Sequence, residues 1–204
     1  MHNNILRYAV CLTALVVLAF GCAKAPQEQV TTVRSVLDSV QVAEVEKYAP
    51  EQYKAAQDSL NAAMAEIEKQ NSKFALTRKY NKAETQLTSA ADLARSAAQQ
   101  AVANKARIKA EAEDMVTQMQ AAIAESKTLI QQAPRGKEGA AAIESIKNDV
   151  AAVEMTATEV ATAMGKEDYI GAREMARAGL EKIQAINEEL KQAIEKKKGI
   201  KKAG

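Results

Sequence analysis

Apolar residues recur at every seventh position between residues 74 and 132, and this repeat is the clearest pattern in the chain. Its first positions are Tyr80, Leu87, Ala94, Ala101, Ile108, Met115, Ala122 and Leu129. A companion apolar residue follows three positions later in the first half and four positions later in the second half, and the change falls at Asn104 and Lys105. Because this stretch contains no Gly or Pro, the repeat predicts one coiled-coil-like helix of about 59 residues, roughly 88 Å long.

Four shorter helical patterns surround this central helix. They predict helices over residues 30–47 and 50–70 before it, and over residues 138–164 and 169–197 after it. Pro50 suits the first turn of a helix, Gly165 suits a helix end, and Asp168 suits an N-cap. Residues 71–73 and 133–137 are predicted to be the turns at the two ends of the central helix. An aromatic residue follows the turn of each predicted hairpin (Phe74 and Tyr169), which indicates a weak internal repeat.

The sequence therefore predicts an all-α fold, made of elongated helical hairpins or a three- to four-helix bundle around a long central coiled-coil-like helix. Residues 29–132 are predicted to form an N-terminal hairpin arm that includes the long helix. Residues 133–198 would be a C-terminal hairpin packing on the second half of that helix, and residues 199–204 a basic tail.

The predicted lengths also suggest where the helices pack. We expect residues 30–70 to form one arm antiparallel to the central helix, with Val30 near Met115. A three- to four-helix bundle would then form around residues 100–132, and the two-helix arm of residues 50–97 would protrude from it. The heptad change at Asn104 and Lys105 would mark the point where the packing partners change.

Composition argues against a catalytic protein. The 204 residues are 47% hydrophobic but only 3% aromatic, with no Trp, which is typical of long Ala-rich helices. The net charge of +2 gives no reason to expect nucleic-acid binding. The only histidine is His2 and the only cysteines are Cys11 and Cys22, which excludes His-based triads and the usual zinc or di-iron sites. We expect no catalytic residues, no metal and no cofactor.

The first residues have the pattern of a targeting segment. Arg7 precedes an apolar run over residues 8–20, which is too short to span roughly 30 Å of hydrocarbon but suits a signal peptide. The run ends in Leu18-Ala19-Phe20-Gly21-Cys22, which resembles the lipobox of bacterial lipoproteins. The resemblance implies removal of residues 1–21, lipidation of Cys22, a tether over residues 22–28 and an outer-membrane anchor with the body in the periplasm. An ordinary signal peptide or an uncleaved anchor is the alternative.

A second resemblance covers about residues 40–115. The segment Tyr48-Ala49-Pro50-Glu51 is followed by spaced small and apolar residues in two successive helices, namely Ala56, Leu60, Ala63, Tyr80, Ala83, Ala90 and Ala94. This pattern is similar to an Ala-rich domain of bacterial envelope lipoproteins, a domain of unknown function sometimes found ahead of OmpA-type modules. The resemblance implies a helical hairpin in the bacterial envelope.

Two basic clusters are candidate contact sites. One is predicted to rest on anionic lipid headgroups beside the anchor and comprises Arg135, Lys137, Lys196, Lys197, Lys198, Lys201 and Lys202. The other is a partner-contact site at the opposite turn and comprises Lys69, Lys73, Arg78 and Lys79. The alternatives are a helix C-terminus complemented by lysines and a solvated turn.

These features predict a non-catalytic, lipid-anchored envelope scaffold, spacer or protein-interaction module, whose partner would be an envelope protein or the cell wall. The alternative is a holdase-like periplasmic chaperone that binds clients along its helical arm. An apolar stripe left exposed on residues 50–97 would favour the chaperone, and a covered stripe would favour the scaffold. Self-association through incompletely buried Ala faces also remains open.

Overall fold

The computed structural model describes residues 23–134 and 137–203, and every element of secondary structure in these ranges is a helix. Its α-helices are α1 Gln27–Val40, α2 Val45–Tyr48, α3 Pro50–Asn71, α4 Asn81–Gln132, α5 Lys137–Gly165 and α6 Tyr169–Ala203. Two 3₁₀ turns, Gln41–Ala43 and Ala75–Thr77, lie between α1 and α2 and between α3 and α4. The predicted all-α bundle with a long central helix is confirmed.

The contacts divide the chain into two compact units between Asn104 and Lys105, inside α4. This position is also where the spacing of the heptad companions changes from three to four residues. A change of spacing rotates the apolar stripe around the helix, as two different sets of partner helices require. The division of the chain into units therefore falls within α4, whereas the sequence suggested a domain boundary after Gln132.

In the first unit, α1 lies antiparallel beside α3. Arg34 Nη2 approaches Met64 Sδ at 3.4 Å, and Gln41 Nε2 donates to the Tyr53 hydroxyl at 3.1 Å. From the first contact to the second, the residue number rises along α1 and falls along α3. The two helices are therefore antiparallel. The expected single arm over residues 30–70 is therefore wrong.

The other face of α1 meets α4. Val33 lines one groove together with Leu87 and Ala91. The start of α1 thus lies beside the first third of α4, and the predicted position of Val30 near Met115 is also wrong. Residues 50–97 are not a two-helix arm but two helices of a three-helix unit.

The chain reverses direction between α1 and α3, and the reversal occurs at Glu44. This residue adopts a left-handed backbone conformation with φ 53° and ψ 42°, and its N–H bonds to the Gln41 carbonyl at 2.8 Å. A left-handed residue cannot continue a right-handed helix, so the predicted helix over residues 30–47 ends at Val40. A second departure from helical geometry at Ala49, with φ −145°, precedes Pro50 and the start of α3.

The core of the first unit consists of small and branched side chains at the predicted helical spacing. Its buried residues include Val30, Val33, Leu37, Tyr53, Ala56, Leu60, Ala63, Ile67, Tyr80, Ala83, Leu87, Ala90, Ala94 and Ala97. Hydrogen bonds fix the antiparallel alignment of α3 and α4: Ser59 Oγ donates to the Gln86 carbonyl at 2.9 Å. Near the end of this unit, Asn104 Nδ2 donates to the Tyr48 carbonyl at 2.7 Å.

In the second unit, α5 and α6 pack on the part of α4 that follows Asn104. The main apolar cluster contains Met119, Ile123, Val150, Val153, Ile183, Ile186 and Leu190, and a smaller one contains Ala112, Val160, Ala163, Ala172 and Ala176. A buried polar group joins α6 to α4, because Asn187 Nδ2 donates to the Ala122 carbonyl at 2.9 Å and to Glu125 Oε2 at 3.0 Å. Ser126 Oγ also bonds to the Asn187 side chain.

The turn between α5 and α6 is a Schellman motif. The Asp168 N–H bonds to the Ala163 carbonyl at 2.9 Å, and the Glu167 N–H bonds to the Met164 carbonyl at 3.1 Å. Glu167 holds the left-handed position with φ 59°. Gly165, the expected terminator, is the last helical residue instead. Asp168 precedes α6 as predicted, and its Oδ1 accepts from the Gly171 N–H at 3.4 Å.

Candidate functional site

The connection between α3 and α4 is longer and more structured than the sequence indicated. The expected turn at residues 71–73, with helix from Phe74 onward, is wrong because Phe74 (ψ 137°) and Arg78 (ψ 135°) are extended. Between them, Ala75–Thr77 form a 3₁₀ turn closed on the Phe74 carbonyl by the N–H and hydroxyl of Thr77, at 2.9 and 2.8 Å. Helix α4 therefore begins at Asn81. We call residues 69–82 the tip.

Arg78 holds this connection together. Its Nε donates to the Lys73 carbonyl at 3.0 Å and its Nη2 to the Asn71 carbonyl at 2.9 Å. The guanidinium fork suits two carbonyl acceptors, and a charged donor makes such bonds stronger than neutral ones. Arg78 was predicted to contact a partner, but in the structure it is half-buried and positions the backbone of the tip.

The base of the tip is fixed by buried polar side chains. Gln70 is only 5% exposed, and its Oε1 accepts from the Lys79 N–H at 3.1 Å. Its Nε2 donates to Glu66 Oε1 at 2.6 Å. Nearby, the Tyr80 hydroxyl donates to Asn71 Oδ1 at 2.5 Å. These bonds tie both ends of the connection to the end of α3, so the segment between them is held in one conformation.

Positive charge surrounds the base of the tip. The hydrogen bond from Gln70, aided by the charges of Lys69, Lys82 and Lys73, lowers the pKa of Glu66 below its ordinary value of 4.5. Lys82 Nζ lies 3.8 Å from Glu66 Oε2. Glu66 therefore stays ionised at neutral pH and compensates part of this charge.

The outer surface of the tip combines apolar and basic side chains. Phe74 is 73% exposed and Leu76 is 55% exposed, among the largest exposures of big apolar residues in the described part of the chain. Three of the predicted contact residues are also exposed, namely Lys69, Lys73 and Lys79. Between Glu68 and Glu84 the sequence holds five basic residues and no acidic one.

Sequence reasoning found the charges of the tip but missed its apolar pair. The sequence pattern predicted Phe74 as the first residue of the long helix, where an aromatic side chain would be expected to pack inward. The available signal was local: an apolar Phe-Ala-Leu run directly beside basic residues, followed by the β-branched Thr77. Such a run suits a short exposed turn as well as a helix start.

The remaining predicted sites fall mostly outside what the structure describes. Cys22 and Arg135 lie outside the described residues. The same holds for the side chains of a further group, although their backbones are helical: Lys137, Lys198, Lys201 and Lys202. Lys196 and Lys197 are exposed near the end of α6. The membrane-contact prediction for this group stays a prediction.

Charged groups in the second unit make structural contacts. Lys105 and Lys109 place their Nζ atoms 5.8 and 5.7 Å from the centroid of the Tyr169 ring, which is 8% exposed. Lys105 also pairs with Glu167 at 3.0 Å, and its hydrogen bond lowers the pKa of Glu167. Hydrogen bonds from Arg173 and Arg107 lower the pKa of Glu111. Glu111 on α4 and Glu167 in the α5–α6 turn thus make contacts within the second unit.

Within residues 23–134 and 137–203, the acidic side chains form no group of three or more that is arranged to hold a metal ion. Over the same ranges, no helix has the length and apolar character that crossing a bilayer requires.

Fold and site together define an all-α helical-bundle protein with a braced, amphipathic turn at one end of its first unit. Comparison with known protein families, with characterised proteins and with solved structures gives no match.

Proposed function

We propose that this protein is a non-catalytic, lipid-anchored scaffold of the bacterial envelope. Cys22 would carry the lipid, as the lipobox-like segment before it indicates. The two helical units would form the periplasmic body, and the tip would make contact with a partner in the envelope. An outer-membrane address follows from the same resemblance and belongs to this proposal.

The observation that carries the proposal is the covering of the apolar stripe on α3 and α4. Tyr53, Ala56 and Leu60 on α3 and Leu87 and Ala90 on α4 are buried, each no more than 7% exposed. Helix α1 closes this face of the unit, as the antiparallel α1–α3 contacts require. Two helices whose shared apolar stripe is already covered suit a scaffold better than a clasp.

The same observation weakens the chaperone alternative. A holdase needs a long apolar surface that is open to clients, and the surface expected for this purpose is occupied by α1. It also removes the reason for expecting self-association, because that expectation rested on Ala faces left bare by a two-helix arm. The buried Ala83, Ala90, Ala94 and Ala97 are no more than 1% exposed.

The anchor is tested by metabolic labelling of the full chain with a radioactive or clickable fatty acid in a bacterial host. We expect label in the native chain and none in Cys22→Ser. Cys11→Ser is the matched control, because it removes the other thiol and should keep the label. Label that survives Cys22→Ser would refute the anchor.

The contact role of the tip is tested by photocrosslinking in intact envelopes. A photoreactive residue at Phe74 should give adducts, whereas one at Val42 should not. Val42 is a fair control because it is 90% exposed and lies on the other 3₁₀ turn of the same unit. Equal adduct patterns at the two positions would contradict a tip-specific contact.

A further inference from the structure

We infer that the tip binds the surface of an anionic lipid bilayer, with Phe74 and Leu76 entering the headgroup region and the lysines around them contacting lipid phosphates. This inference rests on the proposed function only for its setting in the envelope. It names the kind of partner that the tip takes, and it is independent of the lipid on Cys22.

The first argument is the arrangement of apolar and basic groups. Phe74 and Leu76 are both exposed on one short turn, and Lys69, Lys73 and Lys79 are exposed beside them. Interfacial binding to anionic membranes needs this combination, because apolar side chains enter the acyl boundary while lysines interact with negative headgroups. Long Lys side chains can also extend their ammonium groups toward the phosphates.

The second argument is the rigidity of the turn. Phe74 and Leu76 remain exposed although the chain around them is ordered by Arg78, Gln70 and Thr77. These hydrogen bonds order the backbone of the turn, and the apolar pair on it stays exposed to solvent. Because the backbone is already ordered, little conformational entropy is lost when the tip meets its partner.

The third argument is the size of the apolar surface. One Phe and one Leu offer a few hundred Å² at most, less than the roughly 800 Å² that each partner buries in a standard protein interface. A bilayer needs no complementary pocket, since its headgroup region surrounds whatever enters it. The small apolar pair with a basic surround therefore fits a lipid surface better than a folded protein.

The local charge supports the same partner. From Lys69 to Lys82 the sequence has five basic residues and no acidic one. The nearest acids are Glu66 and Glu68 before this segment and Glu84 after it, and Glu66 is partly compensated by Lys82. The outer face of the tip is thus positively charged, and its attraction to anionic lipid should weaken as salt is raised.

The test uses a chain from Ala23 to Gly204, which keeps every helix described above and carries no acyl group. Since the native sequence has no Trp, Phe74→Trp provides a single fluorescent reporter at the tip. We expect a blue shift on mixing with vesicles of phosphatidylglycerol and phosphatidylcholine. Val42→Trp, on the other 3₁₀ turn, should give no shift.

Binding is then measured by vesicle sedimentation with otherwise native variants. Replacing both Phe74 and Leu76 by Ser should weaken binding on the order of 100-fold. Replacing Lys73 and Lys79 by Gln should weaken it about 25-fold, about fivefold for each charge. Val42→Ser is the control and should bind like the native chain. Circular dichroism checks that each variant is folded.

Several outcomes would overturn the inference. These are equal binding to pure phosphatidylcholine vesicles, absence of vesicle binding, and binding that tip variants leave unchanged. The last result would move the membrane contact to another site, such as the end of α6 with Lys196 and Lys197. A protein adduct at Phe74 in envelopes, with no vesicle binding, would also refute the lipid partner while leaving the scaffold proposal intact. Loss of fatty-acid labelling alone would affect only the anchor.

Discussion

The α3–α4 connection and the α5–α6 turn carry a similar sequence signal and have opposite outcomes. An aromatic residue follows each turn, yet Phe74 is 73% exposed and Tyr169 is 8% exposed. The difference lies in where each helix starts. Tyr169 is the first residue of α6, whereas Phe74 precedes the first residue of α4 by seven positions.

A tight Schellman turn accounts for the burial of Tyr169. Only three residues, Lys166 to Asp168, separate α5 from α6, so Tyr169 is carried directly onto α4 beneath Lys105 and Lys109. At the tip, a 3₁₀ turn and extended residues come before the helix. The first buried aromatic there is Tyr80, the first position of the heptad repeat. The aromatic residue that is buried at each of these turns is thus the one at the start of the following helix: Tyr80 directly precedes α4, and Tyr169 is the first residue of α6.

The largest expected effect is a difference in the free energy of unfolding between variants at the two aromatic positions. Tyr169→Ala should lower the free energy of unfolding by about 3 kcal/mol, because it leaves a cavity under the lysines of α4. Phe74→Ala should change it by no more than about 0.5 kcal/mol, because the ring is solvated. Urea denaturation followed by circular dichroism measures both. Similar losses for the two variants would contradict the assigned burial.

A smaller effect is expected from removing the brace of the tip. Arg78→Ala should cost about 1 kcal/mol, because two hydrogen bonds from a charged donor are lost at a partly solvated site. Amide hydrogen exchange at residues 72–80 should become faster, with no change in the α5–α6 turn. Arg78→Lys keeps the charge but lacks the fork, and it should behave more like Ala than like the native residue. Full rescue by Lys would show that charge alone matters.

Acid should weaken the carboxylate contacts near both turns. The pKa of Glu66 near the tip and that of Glu167 in the α5–α6 turn both lie below the ordinary value of 4.5. Each contribution to stability is complete above that value and is lost as the pH falls through the lowered pKa. Urea midpoints measured between neutral and acid pH should therefore fall less steeply in Glu66→Gln and in Glu167→Gln. Parallel curves for native and variant chains would contradict the shifts.

The smallest expected effect concerns the left-handed residues. Glu44→Asn should raise the free energy of unfolding by about 0.5 kcal/mol, because Asn adopts the left-handed region more readily than Glu. Glu167→Asn would also relieve strain, but it loses the pair with Lys105, which should offset part of its gain. Thermal melts monitored by circular dichroism measure both, and Glu44→Ala, which gains no such preference, is the control. A loss of stability in Glu44→Asn would contradict the reasoning.

Much of the helical pattern followed from the sequence. The predicted helix over residues 50–70 is α3, Pro50–Asn71, since Pro50 at its start and the buried stripe at Tyr53, Leu60 and Ile67 are local signals. The heptad change at Asn104 and Lys105 marked the division of the units, because a stripe must follow its packing partners.

The reversal of α1 did not follow from the sequence. It depends on a Glu in a left-handed conformation, and no local pattern marks Glu44 for this role, since Gly and Asn are the usual residues there. The antiparallel α1–α3 packing is stabilised by contacts distant in sequence, such as Gln41 with Tyr53. The shape of the tip likewise depends on Arg78 reaching carbonyls five and seven residues back, which spacing alone cannot reveal.

The hydrogen bonds of Asn187 have a consequence for how α6 is aligned along α4. Around Asn187 the two helices pack through apolar side chains such as Ile123, Ile183 and Leu190, and such contacts can repack at modest cost when the volume is kept. The Ala122 carbonyl, Glu125 and Ser126 meet the Asn187 amide at only one alignment. Any slide would strand a desolvated amide, at about 1–3 kcal/mol. A single polar side chain thus selects one alignment more strictly than the apolar residues around it do.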